Sequence, residues 1–232
     1  MVTPDINEMY FQLRTACSSI SVPIQEAAQI LDIEEFNVNN PVVLFITGWT
    51  STIESDSITH MVKAFNCRGG YNFCLGAHSR ICCTLFSTIY WRKIQRITGL
   101  DPANPCFGSR SLAGLQRGDA KFVDIIHTNP GVLGTRDALG DIDFYPQGYA
   151  PIKPGCRILG CSHKRAWKYY AESVYPGHEL DFVATHCTSL RDLENGLCDG
   201  PEMIMGLQTN PNANGTHMLS VNRQIPWRKL IL

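Results

Sequence analysis

An α/β fold with a mainly parallel sheet is predicted, on two kinds of pattern that alternate along the chain. Residues 42–47 (VVLFIT) and 122–127 (FVDIIH) are short, nearly continuous apolar runs, the form expected of strands buried on both faces of a sheet. Apolar residues then recur at helical spacing: Ile58, Met61, Val62 and Phe65 in one stretch, Trp167, Tyr170, Ala171 and Val174 in another. Strands alternating with helices imply α/β architecture.

Taken in order, residues 42–47 end at Gly48 and form the first strand. A Ser/Asp-rich cap precedes the stripe that begins at Ile58, so a helix covers that strand. Residues 70–73 (GYNF) are too short and too polar for a buried central strand. Residues 79–91 (SRICCTLFSTIYW) carry no helical stripe. Residues 93–98 hold Ile94, Ile97 and Thr98 and stop at Gly99, a short strand with imperfect alternation. Turn chemistry at Asn129-Pro130-Gly131 ends the strand over 122–127. Ser162 opens the helix whose stripe starts at Trp167, and the tail over 210–232 is poorly patterned.

A chain of 232 residues can bury one sizeable core and is too short for two full catalytic domains, so a single domain over 1–232 is expected. A net charge of −1 gives no reason to expect nucleic acid or an anionic membrane as partner. No run of eighteen apolar residues spans a bilayer. The start, MVTPDINEMY, lacks the apolar region of a signal peptide. Ten cysteines point to an oxidising compartment and leave their pairing open. The expectation is a secreted protein with an incomplete N-terminus. Asn214-Gly215-Thr216 is a glycosylation sequon.

Three segments carry the chemistry. Asp101 lies in RITGLDPANPCF, just past a short strand, and His163 lies in CSHKRAWKYYAES, at the mouth of an amphipathic helix. Upstream, Asn72-Phe73-Cys74-Leu75-Gly76-Ala77-His78 stands where a serine-hydrolase elbow has Gly-x-Ser-x-Gly. The order nucleophile, acid, histidine is that of an α/β-hydrolase. Outside such a setting Asp101 is a turn aspartate and His163 a polar residue of a first helical turn. Cys156 and Cys161 bracket four residues, and no second Cys or His pair at zinc-like spacing accompanies them. A small disulfide loop is the better reading.

With residues 45–49 (FITGW), 121–134 (KFVDIIHTNPGVLG) and 140–146 (GDIDFYP), these segments closely resemble the pancreatic-lipase-like family of neutral lipases. That family includes insect phospholipase A1 enzymes and the catalytically silent insect yolk proteins. The resemblance runs from about Val42 to Leu207 and implies an α/β-hydrolase fold with Asp101 as acid and His163 as base. Cys74 falls at the nucleophile position, and Trp49 and Leu75 at the positions whose N–H groups form the oxyanion hole. It also implies a Cys187–Cys198 disulfide and a lid at Cys156–Cys161, here only four residues long. His127, Asp141 and Asp143 fall in structural positions, so no metal and no cofactor are expected. Thr47 departs from the family's histidine.

Around Cys74 the pattern breaks. The family has a strand-helix-strand passage between a segment like RGGYNF and one like SLGAH, whereas here Phe73 joins Cys74 directly, as if the crossover and the nucleophile strand were deleted. One nucleotide string can encode residues 79–91 and, one base further on, LGYAARYFRQFTG, which is similar to the family's helix. Translation out of frame in this stretch, in a product whose natural form has a complete elbow, is the reading this implies. The expected function is hydrolysis of a lipid ester, triacylglycerol or the sn-1 ester of a phospholipid, inactive in the form given. The alternative is a non-catalytic lipid-binding or yolk-type storage protein.

Overall fold

Backbone pairing divides the strands between two sheets. The computed structural model describes residues 10–48, 55–76, 94–103 and 114–228. They fall into two compact units, residues 1–92 and 93–232, each with its own sheet.

In the first unit β1 (Tyr10–Arg14) and β2 (Ser19–Pro23) form an antiparallel hairpin. β3 (Val42–Ile46) is followed by α1 (Asp56–Arg68) and then β4 (Asn72–Gly76), which returns parallel to β3. The strand order is β2-β1-β4-β3. The predicted stripe holds: Ile58, Met61 and Phe65 of α1 are buried, with Ala64 in place of half-buried Val62. Phe65 packs on Phe73 with ring centroids 5.3 Å apart. Gly69 ends the helix with φ +70, a conformation other residues rarely adopt, and its N–H returns to Phe65 O.

The expectation for residues 70–73 is corrected here. β4 is a central strand, flanked by β3 and β1. Its polar start is tolerated because Asn72 is fully engaged: Nδ2 donates to Asn37 O at 2.7 Å and Asn40 O at 3.2 Å, and Oδ1 accepts from Asn37 N at 3.1 Å. A buried amide with its partners in place costs little.

The second unit holds β5 (Arg96–Leu100), β6 (Phe122–Ile126), β7 (Ile142–Pro146), β8 (Val183–Cys187), β9 (Glu202–Ile204) and β10 (Gly215–Leu219), in the order β5-β6-β7-β10-β8-β9. β5, β6, β7 and β10 are parallel neighbours; β8 and β9 continue the sheet antiparallel. The sheet is therefore mixed, and parallel only through its first four strands. β10 lies inside the tail that shows no pattern in sequence. Its interior position buries His217, so the apolar alternation that marks a strand is interrupted by a polar residue. β5 also starts and ends later than residues 93–98.

On the helical side, α2 (Leu159–His163) and α3 (Arg165–Val174) meet at Lys164. α3 buries Ala166, Tyr169, Tyr170, Ala171 and Val174 and leaves Trp167 half-buried. The buried face is displaced from the predicted stripe because Arg165 is drawn inward, its guanidinium 3.6 Å over the Trp227 ring. Ser162 is not the helix cap: its Oγ accepts from Lys153 N at 2.9 Å.

Candidate active site

Asp101 is the first residue beyond β5. Its φ of +53 lies in the left-handed region, uncommon for a residue with a side chain and a place where functional sites hold strain. Its N–H donates to Ile126 O of the adjacent strand at 2.8 Å, so the turn is fixed against the end of β6. The carboxylate, 1% exposed, has three donors. Oδ1 accepts from Thr128 N at 2.7 Å and Asn129 N at 2.8 Å. Oδ2 faces His163 Nδ1 at 2.6 Å.

A carboxylate can only accept, so Nδ1 carries the proton and Nε2 presents its lone pair. The His163 side chain is 38% exposed, and the acid behind it is buried. This is a base oriented by a buried acid, the arrangement that fixes one tautomer and stabilises the imidazolium. Low dielectric strengthens the pairing, and the two backbone donors offset the cost of burying the charge.

The loop after β6 holds this pair. Thr128 Oγ1 donates to His163 O at 3.3 Å, and Asn129 Nδ2 donates to Pro151 O at 2.6 Å. His127 lies behind them, with Nε2 2.8 Å from Asp143 Oδ1 and its ring stacked on Tyr145 at 4.2 Å. Asp143 also accepts from Leu139 N and Gly140 N, and Asp141 accepts from Val123 N. The oxygens of these two aspartates hold backbone in place. Among the described residues no group of three or more His, Cys, Asp or Glu is arranged for a metal.

The other predicted site residues lie elsewhere. Cys74 sits in the middle of β4, opposite Leu44 and Leu13, within the core of the first unit. Burial pushes its thiol up to about 11, so almost no thiolate exists near neutrality. A mid-strand residue with a buried thiol has neither the geometry nor the ionisation of an elbow nucleophile. Leu75, between Phe45 and Gln12, is likewise a central-strand residue whose backbone groups serve the sheet. Trp49 and residues 79–91 lie outside the described residues. Disulfides join Cys156 to Cys161 and Cys187 to Cys198. Asn214 is exposed just before β10.

Four functional neighbours escape a reading of the sequence: Thr128 and Asn129, which act through backbone N–H groups, Gly134, and Lys153. A Cβ at Gly134 would stand 2.7 Å from Asp101 Oδ2. The turn over TNPGVLG is their one sequence signal. Lys153, 1% exposed, donates to Ala150 O at 2.6 Å. Burial lowers its ammonium to about 7, opposed by the charge of Asp101. No local pattern marks it as buried.

Known proteins resemble this chain in sequence. A lipase family model matches residues 73–218, more than half of the chain. Vitellogenin-1 of Ceratitis capitata is 42% identical over 134 residues, 57% of this chain and 31% of that protein. Lipase member H of Rattus norvegicus is 39% identical over 133 residues, 53% of this chain and 28% of that protein. Lipase member H-A of Xenopus laevis is 32% identical over 194 residues, 73% of this chain and 41% of that protein. The chain thus spans about a third of the length of the curated relatives it matches. Because that family model covers more than half of its residues, the chain belongs to the lipase family.

Proposed function

We propose that this chain carries the acid–base half of a lipid-ester hydrolase and, as the sequence stands, does not turn over substrate. The supporting observation is the 2.6 Å bond between Asp101 and His163, with the base open to solvent and the acid buried. In the full reaction a serine hydroxyl attacks the acyl carbonyl while His163 Nε2 takes its proton. His163 returns that proton to the leaving alcohol. Water then attacks the acyl-enzyme by the same route in reverse. Asp101 stabilises the imidazolium at each stage, and in a complete elbow, where Leu75 follows the nucleophile instead of pairing inside β4, the Trp49 and Leu75 N–H groups would face the oxyanion. Cys74 supplies neither elbow nor thiolate, which is why the present form is silent.

The substrate class follows from the lid. Four residues between Cys156 and Cys161 offer little apolar surface to an oil droplet, so phospholipid is preferred over triacylglycerol. The two disulfides and the family support a reading in which the protein works outside the cell, at a lipid surface. A second reading, a non-catalytic lipid-binding or yolk-type storage protein, is favoured by the similarity to vitellogenin-1.

Purified chain should give no turnover of a soluble ester, and Cys74→Ser should not rescue it. Ester hydrolysis abolished by His163→Ala would overturn the silent form. Grafting a Gly-x-Ser-x-Gly elbow on its own strand after Phe73 should restore hydrolysis, faster on phosphatidylcholine vesicles than on triolein emulsion. A well-folded graft without activity would favour the storage reading.

A further inference from the structure

A cavity of about 610 Å³ lies beside the loop that leads into α2. Its lining includes Lys153, Arg157 and Arg223 and, among the described residues, no carboxylate. Among the described residues neither arginine has an ion-pair partner. Two exposed arginines on one concavity, beside a buried lysine, make a favourable place for an anion. Arg and Lys donors suit the tetrahedral oxygens of a phosphate in particular.

The wall is also rigid. Gly155 has φ +81, and a Cβ there would press on Arg223 O, so the loop backbone lies directly against that residue. Arg165 Nη2 donates to Pro154 O at 3.1 Å and Arg223 O at 3.2 Å, joining the two sides of the rim. The Cys156–Cys161 disulfide, the Lys153 N–Ser162 Oγ bond and the Asn129–Pro151 bond fix the same loop at three further points. Rigid walls spare a ligand the entropy of ordering them.

A second observation is independent of the cavity's shape. Arg165 is 4% exposed, yet among the described residues its Nε and Nη1 are buried without a hydrogen-bond partner. Unpaired guanidinium N–H groups inside a protein are costly, and Arg165, whose Nη2 is bonded to the Pro154 and Arg223 carbonyls, adds its positive charge next to the lining. Lys153 adds to this. Its ammonium is suppressed by burial, and an anion in the cavity would favour the protonated form.

We infer that the cavity at Lys153, Arg157 and Arg223 binds a phosphate group, as a free phosphomonoester or as the head group of a phospholipid. The site deepens the hydrolase reading by naming a ligand class, but it requires no turnover. Binding can therefore fail while that reading stands, and the reverse also holds.

The test uses the intact chain with two probes: sn-glycerol 3-phosphate in solution, followed by calorimetry, and phosphatidylcholine vesicles with and without phosphatidate, followed by co-sedimentation. Arg157 and Arg223 expose their side chains, so Arg157→Gln with Arg223→Gln should leave the fold intact, as judged by its circular dichroism. That double variant should bind at least about tenfold more weakly, since charge-assisted hydrogen bonds are being removed. Arg191→Gln, an equal charge change on an exposed helix outside the cavity, should keep most of the affinity, and His163→Ala should keep all of it. Binding of glycerol phosphate identifies a free phosphoester as ligand. Binding confined to phosphatidate vesicles identifies the head group. If neither probe binds, or if Arg191→Gln weakens binding as much as the double variant, the site does not exist.

Discussion

Gly134 and Asp101 compete for one volume: the carboxylate of Asp101 fills the space that a side chain at residue 134 would need. The Asp101 carboxylate is positioned by an absence as well as by its three donors. Gly134→Ala should push the carboxylate away from His163 and from Thr128 N. Overpacking of this kind costs on the order of 1–3 kcal/mol. Urea denaturation should show that loss, and an elbow-restored enzyme carrying Gly134→Ala should lose most of its kcat with KM little changed.

Two substitutions at Asp101 should separate folding from catalysis. Asp101→Ala strands the buried Thr128 and Asn129 N–H groups, and each unsatisfied group costs about 1–3 kcal/mol. Asp101→Asn retains one oxygen for those donors but turns an amide N–H toward His163, which selects the wrong tautomer. Denaturation midpoints should fall sharply for Ala and modestly for Asn. In an elbow-restored enzyme both should be nearly inactive.

Acid should destabilise the second unit through His217. Burial, then the neighbouring charge of His186, lowers its pKa from 6.5 to about 4. The unfolded chain therefore takes up a proton before the folded one does. Stability is full above pH 6.5, falls as pH drops toward about 4, and levels below it. The loss is on the order of 3 kcal/mol for one such group. His217→Phe removes the titration and also Nδ1, which is buried with no hydrogen-bond partner among the described residues. Its urea midpoint should change less than the parent's between these pH values; an unchanged slope would show that other groups control the acid response.

Both disulfides should be found by non-reducing peptide mapping of protein made in an oxidising compartment. Each closes a short loop, with sequence separations of 5 and 11, and loops of this size are worth about 2–3 kcal/mol through the unfolded chain. Cys187→Ser with Cys198→Ser should lower stability by about that amount. Free thiols at all four positions would remove the case for an extracellular protein.

What the sequence made legible was what is local. The run at 122–126 is apolar because both faces of that strand are buried, and α1 shows its stripe because one face is. The run at 42–46 reads the same way in sequence, yet β3 lies at an edge of its sheet with its residues only part-buried or exposed. Asp101 and His163 are recognisable by their flanks, and the fold then brings them to 2.6 Å across 62 residues of chain. Non-local compensation hid the rest. Asn72 is a strand residue because the loop before β3 meets its amide. His217 is a strand residue because β7 and β8 enclose it. The buried face of α3 is set by Trp227, far along the chain, and Lys153 is buried by backbone carbonyls that no pattern announces.

The two-sheet division carries a cost in solution behaviour. β3, Val-Val-Leu-Phe-Ile, is the outermost strand of its sheet among the described residues, and Val42 is 53% exposed. An apolar edge strand is a template for another strand. Concentrated solutions of this chain will tend toward edge-to-edge self-association and insoluble β-rich material. A lysine at Val42 is the natural blunt for that edge.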